Sequence, residues 1–262
     1  MTTPALPPDW CAHIATLPPD GGPSGQEWLR GLPRLVDEQL ASWRLTPIGP
    51  VRTGHTAVVV PVVRAQDPEP LALKLIWPHP EAAAEHLALR HWAGAGAVRL
   101  VAADPRRGAL LLEALDADRS LQHTDDEHAC ATIGDLLRRL HVPAPPTVPS
   151  AVEFVQGHLD KARAARTAGR LAIPPRLLDR AGRLLDDLAP SAGHALLHTD
   201  LHYANVLAVR PDGDATRGPW LAIDPKPMAG HPGFDLQPVL RNRAAELGTG
   251  AALRWGLRDR LA

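Results

Sequence analysis

The pattern of apolar and polar residues changes character near residue 115. Before that point, short apolar runs alternate with turn-forming residues. The stretch Gln-Asp-Pro-Glu-Pro at residues 66–70 separates two such runs and predicts a β-hairpin. Residues 81–92 are rich in Ala and Leu and predict a single helix that Gly94 stops. The strands predicted in this part span residues 56–63, 71–77, 98–102 and 109–115.

Beyond residue 115, apolar residues recur mainly at the spacing of amphipathic helices. The helices predicted there span residues 126–140, 151–168, 174–188, 236–247 and 251–261, with two strands at 206–209 and 220–223. A β-rich part with one helix therefore precedes a mostly helical part. This order favours the α+β fold class.

The N-terminal residues differ from both parts. Residues 1–25 are rich in Pro and Gly, and we expect them to pack loosely. A helix is predicted over residues 26–43, with a break at Pro33. We therefore expect three units, which are an N-terminal extension with a helix at 1–44, a β-rich unit at 45–115 and a helical unit at 116–262.

Composition narrows the classes of function. The chain has 262 residues, of which 45% are apolar, and its net charge is −1. No global basic field exists to attract nucleic acid or a lipid surface, so neither is expected as a partner. Cys11 and Cys130 are too few for a disulfide framework. No secretory signal is visible at the N-terminus, and we expect a cytoplasmic protein. The sequence does not indicate an oligomeric state.

The richest chemical signal is the run His-Thr-Asp-Leu-His-Tyr-Ala-Asn at residues 198–205, followed by Asp224 after an apolar strand. Phosphoryl transfer from ATP uses a carboxylate near the attacking hydroxyl, which Asp200 supplies two residues after His198. An amide and a second carboxylate then hold Mg²⁺ on the phosphates, and Asn205 and Asp224 match these types in this order.

The same run is compatible with two simpler roles. Asp and Asn in loops commonly cap helices or close turns. His194, His198 and His202 also stand four residues apart, which on a helix is a zinc-binding pattern. Strand-like residues flank the run on both sides, so a helix through all three histidines is not favoured.

Several further stretches match a known pattern. They are residues 196–207, 220–227 with Ile-Asp-Pro-Lys-Pro, 233–235 and 242–243, and upstream 71–75, 88–92 and 110–113. With them, the chain resembles the aminoglycoside phosphotransferases, in particular the branch of streptomycin 6-kinases and hydroxyurea phosphotransferases. The similarity covers about residues 45–247. It implies a protein-kinase-like fold, in which a β-rich ATP-binding lobe is hinged to a mostly helical catalytic lobe.

The resemblance also implies roles in the small lobe. Lys74 lies in an apolar strand, a poor place for an unpartnered charge. By resemblance it contacts the ATP phosphates and pairs with a helix glutamate, for which Glu85 is preferred over Glu81. The Gly-rich stretch at residues 49–56 nearly reads as a phosphate-binding loop, but a β-branched run follows it instead of a helix. We expect a hairpin turn that covers ATP there, with Gly54 allowing a close backbone approach.

At the end of this lobe, the backbone of residues 113–115, from Glu113 to Leu115, is expected to contact the adenine edge. The resemblance gives Asp235 a bracing role on the catalytic loop, although an N-cap of the following helix explains it equally well. Thr199 stands where the family more often has glycine. The family usually continues with further helices, so we expect a weakened acceptor pocket.

The function implied is transfer of phosphate from Mg-ATP to a hydroxyl of a small molecule, with streptomycin-like aminoglycosides or hydroxyurea as acceptors. His198 and Asp200 are the candidate catalytic residues. A degenerate nucleotide-binding protein without transferase activity, or a kinase of another hydroxylated metabolite, are the alternatives.

Overall fold

A computed structural model describes residues 6–261. The α-helices are α1 Pro8–Ala15, α2 Gly25–Trp43, α3 Glu85–Trp92, α4 Asp126–Leu140, α5 Ala151–Thr167, α6 Pro175–Leu188, α7 Leu236–Arg241 and α8 Gly250–Asp259. The strands are β1 Leu45–Pro47, β2 Arg52–Thr53, β3 Ala57–Arg64, β4 Asp67–Ile76, β5 Leu100–Asp104, β6 Ala109–Glu113, β7 Asp116–Ser120, β8 Ala195–Leu197, β9 Val206–Ala208, β10 Trp220–Ala222 and β11 Met228–Gly230.

The first six strands form one antiparallel sheet in the order β1-β3-β4-β6-β5, with β2 paired to β3. We call this sheet with α3 the small lobe, and the part from β7 onward the helical lobe. In the helical lobe, β7, β9 and β10 form one small sheet and β8 pairs with β11 in another. The chain therefore has the two-lobed α+β architecture of protein kinases, as predicted.

The central strand β4 alternates its side chains between two environments. Leu73 and Leu75 are fully buried in the hydrophobic cluster that α2 forms with the outer face of the sheet. Lys74 and Ile76 are two residues apart and therefore lie on the opposite face of β4. Ile76 belongs to the hydrophobic cluster that the sheet shares with the helical lobe. Because successive residues of a strand point to opposite faces, Lys74 is directed towards the cleft between the lobes.

The prediction of a loose N-terminal segment is wrong for its described part. Helix α1 packs on α2, and Ile14 is completely buried. Pro33 does not break α2 either, since the helix runs for 19 residues through it. A capping box between Ser24 and Glu27 starts this helix, and burial of its apolar face against the sheet offsets the missing hydrogen bond at proline.

Two other predicted helices are shorter than expected. Residues 80–82 form a 3-10 turn, so α3 begins at Glu85 rather than at residue 81. The segment predicted at 236–247 divides into α7 and a 3-10 turn at Ala244–Leu247. Arg243 between them adopts a left-handed backbone (φ 58°), which interrupts the helical hydrogen bonding.

Helix α3 also joins the lobes. The Trp92 indole N–H donates to the Leu140 carbonyl oxygen at 2.8 Å, and its ring stacks on His198 with 6.2 Å between centroids. The small lobe is thus fixed to the helical lobe beside the run at residues 198–205.

Candidate active site

Lys74 forms the centre of a buried ion cluster. Its Nζ lies 2.7 and 2.9 Å from the two carboxylate oxygens of Glu85, and 2.6 Å from Asp224 Oδ1. Strand β4 supplies the lysine, the first turn of α3 supplies Glu85, and the segment after β10 supplies Asp224. The structure therefore pairs Lys74 with Glu85, the preferred glutamate.

One lysine here faces two carboxylates, and the pKa shifts follow from that. Burial disfavours the charge on Lys74, but Asp224 and Glu85 outweigh it and raise the pKa of the lysine. Burial raises the pKa of Glu85 to about 7, because Lys74 compensates it only in part and Asp224 repels it. Burial also opposes the charge on Asp224, yet Lys74 holds its pKa below the usual range.

Asp235 braces the loop that follows β8. Its Oδ2 accepts from the backbone N–H of His198 at 2.9 Å, and its Oδ1 accepts from the N–H of Thr199 at 2.6 Å. The Asp235 side chain makes no capping bond to the helix it precedes, so the structure agrees with the bracing role rather than the N-cap. Thr199 has a left-handed backbone (φ 56°), which explains why glycine suits this position.

His198 is completely buried behind this loop. Its Nε2 lies 3.0 Å from the Ile223 carbonyl oxygen, and its Nδ1 accepts from the Asp200 N–H at 3.3 Å. This pattern requires a neutral ring with the proton on Nε2. Burial lowers the pKa of His198, which favours the same neutral form despite the nearby carboxylates. The ring thereby links the run at residues 198–205 to the segment that carries Asp224.

Asp200 is partly exposed and faces two basic side chains. Lys226 Nζ lies 3.2 Å from Asp200 Oδ2, and His202 Nε2 lies 3.9 Å from Oδ1. The same lysine ammonium lies 3.4 Å from an oxygen of Glu81 in the small lobe. Glu81, the alternative partner considered for Lys74, therefore forms an ion pair with Lys226 instead.

The donor set at Asn205 and Asp224 fits a hard cation such as Mg²⁺, which prefers oxygen ligands. The Asn205 side-chain amide nitrogen donates to the Asp200 carbonyl at 2.9 Å, which leaves its oxygen as the atom for a cation. Asp224 uses one carboxylate oxygen for Lys74 and retains the other. Within residues 6–261, no group of three or more His, Cys, Asp or Glu side chains could hold a metal. Since β8 separates His194 from His198, the three histidines do not share a helix face.

The remaining nucleotide candidates lie along the small lobe. Gly54 is in the turn between β2 and β3, as expected from the β-branched run, and its N–H donates to the Ala57 carbonyl at 2.8 Å. The Trp10 indole N–H of α1 donates to the Gly54 carbonyl at 2.7 Å. The N-terminal segment that was expected to be loose therefore supplies a contact to this turn.

At the hinge, the side chain of Glu113 accepts from Arg217 at 2.6 Å and from the Arg99 N–H at 2.6 Å. Arg217 also donates to the carbonyls of Gly94 and Ala97. Glu113 thus ties the lobes together through its side chain. The Glu113 backbone N–H is used by the Arg99 carbonyl, so Leu115 is the better candidate for an amide that meets the adenine edge.

Sequence reasoning gives no role to two residues of this region. In the sequence, Lys226 is notable only as a member of the Ile-Asp-Pro-Lys-Pro stretch. Its position two residues after Asp224 is the one sequence feature that indicates a place near the site. Arg217 lies in a polar loop where nothing in the sequence distinguishes it from solvated arginines.

Comparison with solved structures identifies the fold. The fold is shared with a choline/ethanolamine kinase family protein from Mesorhizobium loti, at a TM-score of 0.53, 19% identity and coverage of 86% of this chain and 75% of that one. Aminoglycoside phosphotransferase APH(4)-Ia gives a TM-score of 0.51 at 12% identity, over 86% and 81% of the two chains. The molecule thus shares the kinase-like fold of these two proteins.

The sequence specifies the family. Residues 42–256 match the model of the aminoglycoside/hydroxyurea antibiotic resistance kinases, and the chain belongs to that family. It is 46% identical to a hydroxyurea phosphotransferase of Kitasatospora aureofaciens, over 87% of this chain and 67% of the relative. It is 42% identical to a streptomycin 6-kinase of Streptomyces glaucescens, over 85% and 71% respectively. The resemblance found in the sequence is confirmed.

Proposed function

We propose that this chain transfers the γ-phosphoryl group of Mg-ATP to a hydroxyl of a small antibiotic, either a streptomycin-like aminoglycoside or hydroxyurea. The observation that carries the proposal is the Lys74 cluster, because it joins strand β4, helix α3 and Asp224 at the cleft beside Asp200. The acceptor class comes from the relatives at 46% and 42% identity.

In this proposal, Asp200 orients the acceptor hydroxyl and takes its proton. Lys74 contacts the ATP phosphates, and Glu85 fixes the lysine. Gly54 of the covering turn and the hinge at Glu113 and Leu115 position the nucleotide. Catalysis then rests on positioning and on neutralising the phosphate charge.

His198 has a positioning role in this scheme, since its buried ring is bonded on both nitrogens and does not reach the cleft. Asn205 and Asp224 would hold Mg²⁺. When bound, the ion neutralises phosphate charge during transfer. Among residues 6–261, no helix is both long and apolar enough to cross a membrane. A cytoplasmic location is part of the proposal.

The direct test is an assay of ATP consumption by the purified protein with streptomycin, with hydroxyurea and with neither. We expect acceptor-dependent consumption and a phosphorylated product visible by mass spectrometry. ATP binding without consumption for any acceptor in a broad panel would indicate a degenerate kinase. Consumption with an unrelated hydroxylated metabolite alone would reassign the acceptor.

The metal assignment is tested by Asp224→Asn. We expect ATP to bind this variant with little benefit from Mg²⁺, while metal-free ATP binds nearly as it does to the unchanged protein, because a carboxylate oxygen has been lost. Calorimetry with and without Mg²⁺ measures both values. Asp212→Asn, an exposed carboxylate paired with Arg210, is the matched control. Equal losses under both conditions would assign Asp224 a packing role instead.

A further inference from the structure

Lys226 is held against the catalytic loop by its own backbone. Its N–H donates to the His198 carbonyl at 3.0 Å, and its carbonyl accepts from the Thr199 hydroxyl. These bonds on both sides of the residue fix the origin of its side chain relative to Asp200. Lys226 is therefore anchored by its backbone beside Asp200, while its partly exposed side chain remains free to reach a ligand in the cleft.

The ammonium group has two partners and three donors. Nζ forms ion pairs with Asp200 at 3.2 Å and with Glu81 at 3.4 Å, which occupy at most two of the three N–H groups of a lysine. The side chain is 35% exposed, so the third donor can reach a ligand in the cleft. Cationic charge in this chain is carried mostly by arginine. Of its three lysines, Lys74 and Lys226 lie in the cleft and Lys161 lies on the outside of α5.

The position of the Lys226 ammonium beside Asp200 indicates which ligand it meets. An acceptor hydroxyl that gives its proton to Asp200 must lie about 2.6–3.2 Å from the carboxylate. In a geometry ready for reaction, the phosphorus lies only about 3–3.5 Å further on. An ammonium that lies 3.2 Å from Asp200 and is partly exposed to the cleft can then reach the oxygens of the transferred group.

We propose that Lys226 binds the γ-phosphoryl group of ATP and stabilises its charge during transfer, and that Glu81 holds this lysine from the small lobe. The inference rests on the proposed kinase function and adds a catalytic residue to it. Lys74 then serves the phosphates that ADP and ATP share, while Lys226 serves the phosphate that only ATP carries.

The division of labour predicts a change in nucleotide preference. In Lys226→Met, the Kd of Mg-ATP should rise about 10-fold or more, as expected when a charge-assisted hydrogen bond is lost. The Kd of Mg-ADP should change by less than about 2-fold, since ADP lacks the group concerned. Acceptor-dependent kcat should fall with little change in the KM of the acceptor. Calorimetry with each nucleotide gives the ratio without any need for turnover.

Two variants separate this proposal from a purely structural role. Lys161→Met is the matched control and should leave both affinities unchanged. Glu81→Gln removes the ion pair of Lys226 with the small lobe but keeps the charge of Lys226, so it should retain most of the preference for ATP. If Glu81→Gln loses that preference as fully as Lys226→Met does, the ion pair between lobes explains the effect and the proposal is overturned.

The outcomes distinguish the two levels of the hypothesis. Equal losses for ADP and ATP in Lys226→Met, or no loss for either, would overturn the role of Lys226 while leaving the kinase function intact. If the unchanged protein binds neither nucleotide with Mg²⁺, the proposed function itself fails. Should Lys226→Met not fold, Lys226→Gln replaces the ammonium with a neutral hydrogen-bond donor, and the same loss of ATP preference is expected.

Discussion

Two lysine-centred clusters cross the same cleft but differ in burial. Lys74 is closed in by Glu85 and Asp224, and only 5% of the residue is exposed. Lys226 bridges Asp200 and Glu81 with about a third of its side chain in solvent. A buried charge that loses its partner is costly, whereas a partly hydrated one exchanges partners readily. The contrast suggests a fixed cluster that builds the site and an adaptable one that meets the reacting group.

The largest effect expected from this contrast is that of Lys74→Ala. It leaves Glu85 and Asp224 facing each other without a cation, which typically costs about 3–5 kcal/mol of stability at a buried site. Affinity for ADP and for ATP should fall together. Urea denaturation and nucleotide titration measure the two effects, with the exposed Lys161→Ala as the control. A loss of stability within about 0.5 kcal/mol, the usual size for a surface change, would show that Lys74 is not essential to the cluster.

A smaller stability change but a large kinetic one is expected for Asp200→Asn. Asp200 is partly exposed, so the fold should persist, while removal of a positioned base lowers kcat by about 10²–10⁴-fold. Steady-state kinetics with a confirmed acceptor and a thermal melt of the same sample provide the measurement. A well-folded variant with near-normal kcat would remove Asp200 from the mechanism.

The two clusters also show what the sequence could and could not predict. The Lys74 partner was predictable because residue type, an apolar strand and a nearby helix limit the choices to Glu81 and Glu85. The structure resolves that choice through helix register, since α3 begins at Glu85. The run from His198 to Asn205 was equally clear, because its polar residues have fixed spacing within one short segment.

The contacts of Lys226 with Glu81 and of Arg217 with Glu113 join residues more than 100 positions apart. No local pattern encodes such pairs, since they depend on how the lobes meet. The ordered N-terminal helix was missed for a similar reason. Pro and Gly signalled irregular backbone, but burial of Ile14 and Trp28 against the sheet decides the outcome.

A pH experiment sharpens the comparison further. The pKa of His198 is lowered in the folded protein, chiefly by burial, so the unfolded chain binds the proton first as pH falls. Stability contributed by the neutral ring is complete above the unfolded value of about 6.5 and is lost below it. From pH 7.5 to pH 5.5, with a chelator present, His198 lowers the urea midpoint while Glu85, whose pKa is raised to about 7, increases it, so His198→Gln should shift the slope towards greater stability at low pH. An unchanged slope in that variant would assign the acid sensitivity to another group, such as His202.

The smallest effect on stability and activity is expected at the edge of the small lobe, where α1 contacts the turn at Gly54. Trp10→Phe removes the hydrogen bond from α1 to the Gly54 carbonyl but keeps an aromatic ring against Trp28. One such bond contributes about 0.5–1.5 kcal/mol, so stability should fall by that amount and the KM for ATP should rise only a few-fold, with kcat unchanged. Trp255→Phe, at a ring that is 61% exposed, controls for the substitution itself. If Trp10→Phe lowers kcat as much as Asp200→Asn does, the turn at Gly54 takes part in the reaction step, and the two cleft clusters alone do not account for catalysis.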